Sequence, residues 1–244
     1  MKDYIKNTVS LFAFNFLTIV YFEVLFKIRV LTIAFDSNLL RVLIFSLAYS
    51  ILIMFIIKFF KEKTVKYIMF ISTVIIMFMY FNQEIYSSFV EGFYSLSIAG
   101  DFTMGLSFIS DYFYALKFIH VFYLIPILAL YLLNKYSLIH FKVAYENLKA
   151  PLIFLTSFGL VFFIALQTIS EEVDAENIDI AYSDMDLYTY MYNSQDALKK
   201  FGLLTYTQRD FFSLFRSDPL TESEYDVLLD DFFENKPAHA GNTY

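Results

Sequence analysis

The side chains able to do chemistry are few and far apart. Histidine occurs three times, as His120, His140 and His239. A hard divalent cation needs several oxygen or imidazole ligands gathered in one place. His120 and His140 are expected on opposite sides of a membrane segment, so they cannot share a metal, and His239 sits in a polar stretch, AHAGNTY. Neither a G-x-S-x-G elbow nor an H-E-x-x-H pair occurs, so no hydrolase nucleophile or zinc-protease helix is signalled. Thr243 has no visible activating partner. The chain has no cysteine, which removes disulfides, thiolate zinc sites and iron–sulfur clusters. The acidic run EEVDAENID, Glu171 to Asp179, lacks the glycine and spacing of a calcium loop and reads as a solvated linker.

What remains is one long connection, Asn82–Tyr112, too polar to span a membrane yet dense in aromatic and aliphatic residues. Glu84, Tyr86, Glu91, Tyr94 and Asp101 lie in it, with Asp111 near its end. These groups could face a lipid headgroup or a partner domain. The plainer reading is the solvated edge of an amphipathic layer at the membrane surface. Gly100 and Gly105 have the spacing of a phosphate loop, but no Lys follows, so no nucleotide site is read there.

The elements that must position these residues are apolar helices. Ala150–Ser170 is 21 residues without a charge, about 31 Å as a helix, which matches the ~30 Å hydrocarbon core of a bilayer. Pro151 falls where a first helical turn tolerates a missing N–H. Four further spans precede it, at about 8–28, 39–60, 65–81 and 117–134. Pro126 lies at the centre of the fourth and is expected to kink it. The first span follows Lys2 and Lys6 but is not followed by a small-residue cleavage site, so it reads as an uncleaved anchor. Within it Glu23 and Lys27 are four apart, in the favourable order for a helical pair. Of two readings, a polar site inside the bundle or a pair reaching to water at the headgroup level, the second is the plainer.

Hydrophobic residues make up 58% of the 244, and mean hydropathy is +0.55, so the class is an all-α polytopic membrane protein. Its domains read as 1–170, five transmembrane helices with an interfacial loop at 82–112, and 171–244, an acidic helical linker. Residues 1–170 carry 13 Lys/Arg and 9 Asp/Glu, whereas 171–244 carry 5 and 16. An acidic tail excludes nucleic acid as a partner, because phosphates need a basic surface. With the N-terminus inside, the inner loops hold nine Lys/Arg and the outer short loops four, which sets the orientation and puts the tail outside.

The tail predicts three helices. Ser194 is expected to cap SQDALKKF, which Gly202 ends. A second helix runs from about Thr205 to Phe215, with Phe211, Phe212 and Phe215 on one face. The third follows the capping box Thr221-Glu222-Ser223-Glu224. There Tyr225, Leu228, Leu229, Phe232 and Phe233 recur at helical spacing. That apolar stripe is suited to docking another domain. The connection 82–112 is expected to pack against the linker from Tyr192 to Phe215.

Four features together resemble the N-terminal half of the lipoteichoic acid synthase family, the membrane-anchored phosphoglycerol transferases of the sulfatase/alkaline-phosphatase superfamily. They are five spans before an outside tail, IYSSFVEGFYSLSIAGDF after span three, YNSQDALKKFGLLTYTQRDF as a juxtamembrane linker, and VLLDDFFENKPAHAGNTY. The last is similar to the segment just before the family's extracellular enzyme domain. The resemblance implies a bacterial plasma-membrane protein, cytoplasmic at its N-terminus and extracellular at its C-terminus. It implies phosphatidylglycerol as lipid partner and a following enzyme domain that holds a threonine nucleophile and manganese or another divalent metal. No catalytic, cofactor or metal residue of that domain falls within these 244 residues, so the chain alone is expected to turn over no substrate. The competing readings are a stand-alone membrane scaffold or sensor and a small transporter. Transport is disfavoured by the scarcity of intramembrane charge and by the lack of an inverted repeat.

Overall fold

A computed structural model describes residues 2–33, 36–90, 92–95, 109–142, 149–170 and 183–215. Helices α1 (Lys2–Arg29), α2 (Leu39–Ile57) and α3 (Glu62–Phe89) come first. A short α4 (Ile109–Ala115) leads to a 3-10 helix, Phe118–Leu124, which runs directly into α5 (Ile125–Lys135). Then come α6 (Lys149–Gln167) and three linker helices, α7 (Asp184–Tyr190), α8 (Ser194–Phe201) and α9 (Leu203–Ser213). Among the described residues there is no strand, and five helical segments are long and apolar enough to cross a membrane. The protein is an all-α polytopic membrane protein.

Among the described residues, two clusters of buried side chains hold the bundle together. One gathers Leu11, Phe14, Met54, Met69 and Leu130 toward the end bearing the N-terminus. The other begins with Ile19, Phe22, Phe45 and Tyr80 and continues without a break into Leu187, Leu198 and Phe201 of the linker. The linker therefore shares the bundle's core. Large apolar residues such as Leu17, Ile75, Phe78 and Leu160 stay exposed, as a surface solvated by lipid requires. In that solvent helices gain little from hiding apolar area, and close packing plus buried polar contacts decide the arrangement. Several serine and threonine hydroxyls inside the bundle turn back on their own helix: Ser46 donates to the Val42 carbonyl at 2.8 Å and Thr73 to that of Met69 at 2.8 Å. Asn15 points its amide at the sulfurs of Met54 and Met69. Lys58 is buried at the same end, where its ammonium donates to Thr8 Oγ1 at 2.8 Å and to the Tyr4 hydroxyl at 3.0 Å.

Several boundaries depart from the sequence expectation. Span three does not stop at Phe81 but continues as helix to Phe89. Ile76, Tyr80 and Glu84 keep the four-residue spacing of one buried face, so the polar residues ride on the same helix rather than in a loop. Pro126 does not kink a continuous span. The helix type changes just before it, and Pro126 stands in the first turn of α5, where no backbone hydrogen bond is lost. In the linker, Asn193 rather than Ser194 caps α8, its side chain accepting from the Asp196 N–H. α9 begins at Leu203 rather than Thr205 and ends at Ser213.

Candidate functional site at the linker face

The linker helices are short, and each depends on its caps. Ser183 Oγ accepts from the Asp186 N–H at 3.1 Å while the Asp186 carboxylate accepts from the Ser183 N–H, a reciprocal box that starts α7. Arg209 of α9 donates to the Tyr188 and Thr189 carbonyls and lies over the Tyr188 ring. It thereby satisfies groups at the C-terminal end of α7 that have no partner in their own helix.

Among the described residues, three charged side chains of the bundle fasten this linker, and Tyr49 adds a hydrogen bond to Gln208 at 2.7 Å. Glu23, buried on α1, accepts from the Leu203 and Leu204 N–H groups at 3.2 and 3.4 Å. The carboxylate thus caps α9 from another helix, where the dipole favours negative charge. Lys27 donates to the Lys199 carbonyl at 2.8 Å, at the end of α8, and pairs with Asp36 at 3.0 Å. Arg41 of α2 donates to Asp184 at 2.8 Å and to the Thr168 carbonyl at 2.6 Å. Glu23 and Lys27 are therefore not a pair reaching to water. Both are almost wholly buried, and each is spent on the linker.

Asp184 also receives Lys200 at 2.6 Å. Burial pushes its carboxyl up, but the hydrogen bonds from Lys200 and Arg41 outweigh this and hold it below the usual aspartate range. A carboxylate shifted down stabilises the fold in full above its unfolded value of about 3.9. That contribution is lost as pH falls through the lower, folded value. Amide exchange in α7 is therefore expected to accelerate as pH drops below about 4. Asp184→Asn should flatten the response. An undiminished response in that variant would assign the effect to another group.

Beside the ties opens a cavity of about 680 Å³. Arg29 of α1, Glu84 of α3 and Lys117 at the start of the fourth span supply its charged lining, with the His120 imidazole beside them. Asn193 and Gln195 close it from the linker side. Glu84 is the hub: it accepts from Arg29 Nε at 2.7 Å and also from Arg29 Nη2, and it accepts from the Tyr123 hydroxyl at 2.5 Å. His120 Nδ1 accepts from the Lys117 N–H at 2.9 Å, which leaves Nε2 to carry the proton that faces Glu84 at 3.1 Å. The histidine is thus fixed as a donor to the carboxylate. Lys117 is exposed and pairs with no carboxylate among the described residues. Among those residues no three His, Asp or Glu side chains converge to hold a metal.

Of the residues singled out by sequence, Glu84 enters this site. Tyr86 and Tyr94 meet edge to face with centroids 5.5 Å apart, and the Tyr94 carbonyl accepts from Gln83. Ser95 donates to Asp210 of α9 at 2.6 Å, so the start of the connection does touch the linker. Phe211, Phe212 and Phe215 are exposed and packed against one another, with Phe211 and Phe215 5.2 Å apart. Glu91, Asp101, Leu228, Leu229, Phe232 and Phe233 lie outside the described residues, as does the capping box at 221–224. Sequence reasoning missed Arg29 and His120 as partners of Glu84, and Lys117 as part of the same cavity wall. The signal was present only in part, as basic and imidazole groups at the ends of two spans.

Fold and site together define a polytopic helical membrane protein with a polar cavity where its spans meet a docked linker. No protein family, curated protein or solved structure matches the chain.

Proposed function

We propose that this chain is the membrane-anchoring, substrate-presenting N-terminal half of a phosphoglycerol transferase like the lipoteichoic acid synthases. In this reading it sits in a bacterial plasma membrane with its N-terminus cytoplasmic and its C-terminus extracellular. The observation that supports it best is the docked linker. A passive tether needs no fixed geometry, yet Glu23, Lys27 and Arg41 give up buried charge to hold α7–α9 in one place beside the cavity. Such an arrangement sets where a following enzyme domain would stand relative to lipid headgroups. Phosphatidylglycerol would be the phosphoglycerol donor, and any manganese would belong to the enzyme domain. Orientation rests on the excess of Lys and Arg at the end that carries Asn7, Lys58 and Lys142.

The test has two arms. The reading frame 3′ of the Tyr244 codon is expected to encode a sulfatase-type domain with a threonine nucleophile. In a chain with no native cysteine, Tyr190→Cys should react with an impermeant thiol reagent on intact cells, whereas Tyr136→Cys should not. Both side chains are exposed, at opposite ends of the bundle. A stop codon in an intact locus would favour a stand-alone scaffold or sensor, and the reverse labelling would overturn the orientation.

A further inference from the structure

The fourth span begins on a hydrogen bond that an imidazole can hold in only one protonation state. Lys117 is extended, and its backbone N–H donates to His120 Nδ1 at 2.9 Å, while the His120 N–H returns to the Lys117 carbonyl at 3.0 Å. The side chain at this helical position reaches back to the capping residue, half of a capping box, with histidine where glutamate or glutamine usually stands. On the other edge of the ring Nε2 lies 3.1 Å from Glu84. A backbone N–H can only donate and a carboxylate can only accept. The ring that satisfies both is neutral, its lone pair toward Lys117 and its proton toward Glu84. Phe81 stands perpendicular to it, with centroids 5.7 Å apart, and steadies the ring plane.

Glutamine in that place would accept at any pH, whereas imidazole is the side chain whose ordinary proton equilibrium falls between about pH 5 and 8. A second proton has one place to go, Nδ1, and would set two donors head to head. Nε2 keeps its carboxylate, now as an ion pair. What yields is the Lys117 N–H, which has no other hydrogen bond among the described residues. Leu116 and Lys117 are the whole joint between α4 and the 3-10 helix, so freeing that amide frees the joint.

The charges around the ring pull both ways. Glu84 from α3 favours an imidazolium, and Arg29 from α1 and the Lys117 ammonium oppose it. The Tyr123 hydroxyl is spent on Glu84, and Tyr112 of α4 lies across Phe81. The linker brings one titratable group to this cavity, Tyr192, beside the uncharged Asn193, Ser194 and Gln195.

We infer that His120 is a proton-operated latch on the wall of the cavity: acid breaks the Lys117 hydrogen bond and lets α4 part from the fourth span, and neutral pH closes it again. The latch does not rest on the transferase reading, since a scaffold or sensor could carry it equally well. It works at higher pH than the Asp184 tie, which responds below about 4.

The test uses the full chain in nanodiscs. With His140→Gln and His239→Gln, His120 is the only histidine left. Nitrogen-15 NMR is expected to show Nε2 protonated and Nδ1 bare at about pH 8, and both protonated at about pH 5. Over the same interval the protection of the Lys117 amide, corrected for its intrinsic exchange rate, should fall about ten-fold, as loss of one hydrogen bond implies. Spin labels at Tyr114→Cys on α4 and Tyr190→Cys on α7, both exposed positions in a chain with no native cysteine, should report a distance that broadens with the same midpoint. His120→Asn keeps an acceptor for the Lys117 N–H but has no proton to gain, so amide and distance should lose their pH response. Should that variant not fold, the arm on the native imidazole still decides. A proton on Nδ1 at the higher pH, or a ring still neutral at the lower, would overturn the latch. So would a charged ring that leaves the amide and the distance unchanged, or an acid response that persists in His120→Asn.

Discussion

Replacing Glu84 with alanine is expected to destabilise the protein more than any other single change in its spans, by about 3–5 kcal/mol. The carboxylate of α3 sits among three donors, Arg29 on α1 and His120 and Tyr123 on the 3-10 helix of the fourth span. Its removal leaves a guanidinium, a phenol and an imidazole N–H facing one another, the phenol and the imidazole both buried. An intact buried pair adds little net stability, because desolvation offsets attraction. A half-removed pair keeps the desolvation and loses the attraction. Glu84→Gln should fall between the two, because the amide oxygen still accepts while the charge is gone. The measurement is thermal unfolding in detergent, with Arg29→Leu combined with Glu84→Leu as the control. That double variant should recover part of the loss. If Glu84→Ala unfolds at the native temperature, the hub is not carrying the junction of α1, α3 and the fourth span.

The second large effect is expected at Gly202, the hinge between α8 and α9. Its backbone lies at φ 82 and ψ 167, a region that side chains other than glycine's essentially never occupy. A Cβ there would also stand 2.6 Å from Glu23 Oε1. Gly202→Ala therefore strains the turn and pushes away the carboxylate that caps α9. Backbone strain of about 1–3 kcal/mol and a weakened charge-assisted hydrogen bond of similar size give a loss of about 2–4 kcal/mol. The loss should be local. Hydrogen exchange at the Leu203 and Leu204 amides should accelerate by about two orders of magnitude, as 2–4 kcal/mol of local opening implies. Exchange in α2 and α6 should stay unchanged. Native-like exchange at 203 and 204 would show that Glu23 does not hold the linker.

The spans were legible because a long uncharged run is stable in few settings besides a bilayer, and all five appear as helices. Their ends were less so, for a physical reason. NQEIYSSF reads as a loop only if its polar groups must reach water. In the fold Glu84 finds Arg29 and His120 instead, so the helix can continue past the point where the apolar residues thin out. The role of Glu23 could not be read at all. Its partners are the backbone N–H groups of Leu203 and Leu204, about 180 positions away, and a backbone amide leaves no mark in residue identity. The Arg41–Asp184 pair is hidden likewise, its partners lying 143 positions apart. The short helices α8 and α9 were legible because caps are local: Gly202 announces the end of one, even though Asn193, not Ser194, begins it.

The change of helix type in the fourth span fixes a length. An 18-residue segment, Phe118–Lys135, would reach about 27 Å as a uniform α-helix. Its first seven residues are wound as 3-10 helix, which rises about 2.0 Å per residue instead of 1.5. The segment therefore reaches about 30 Å, the reach of a helix two residues longer. The winding lengthens the span without adding residues, one way a short apolar segment can match a thicker hydrocarbon layer. Because the stretched turns are the ones that carry His120, the same winding sets how far Lys117 stands above the hydrocarbon.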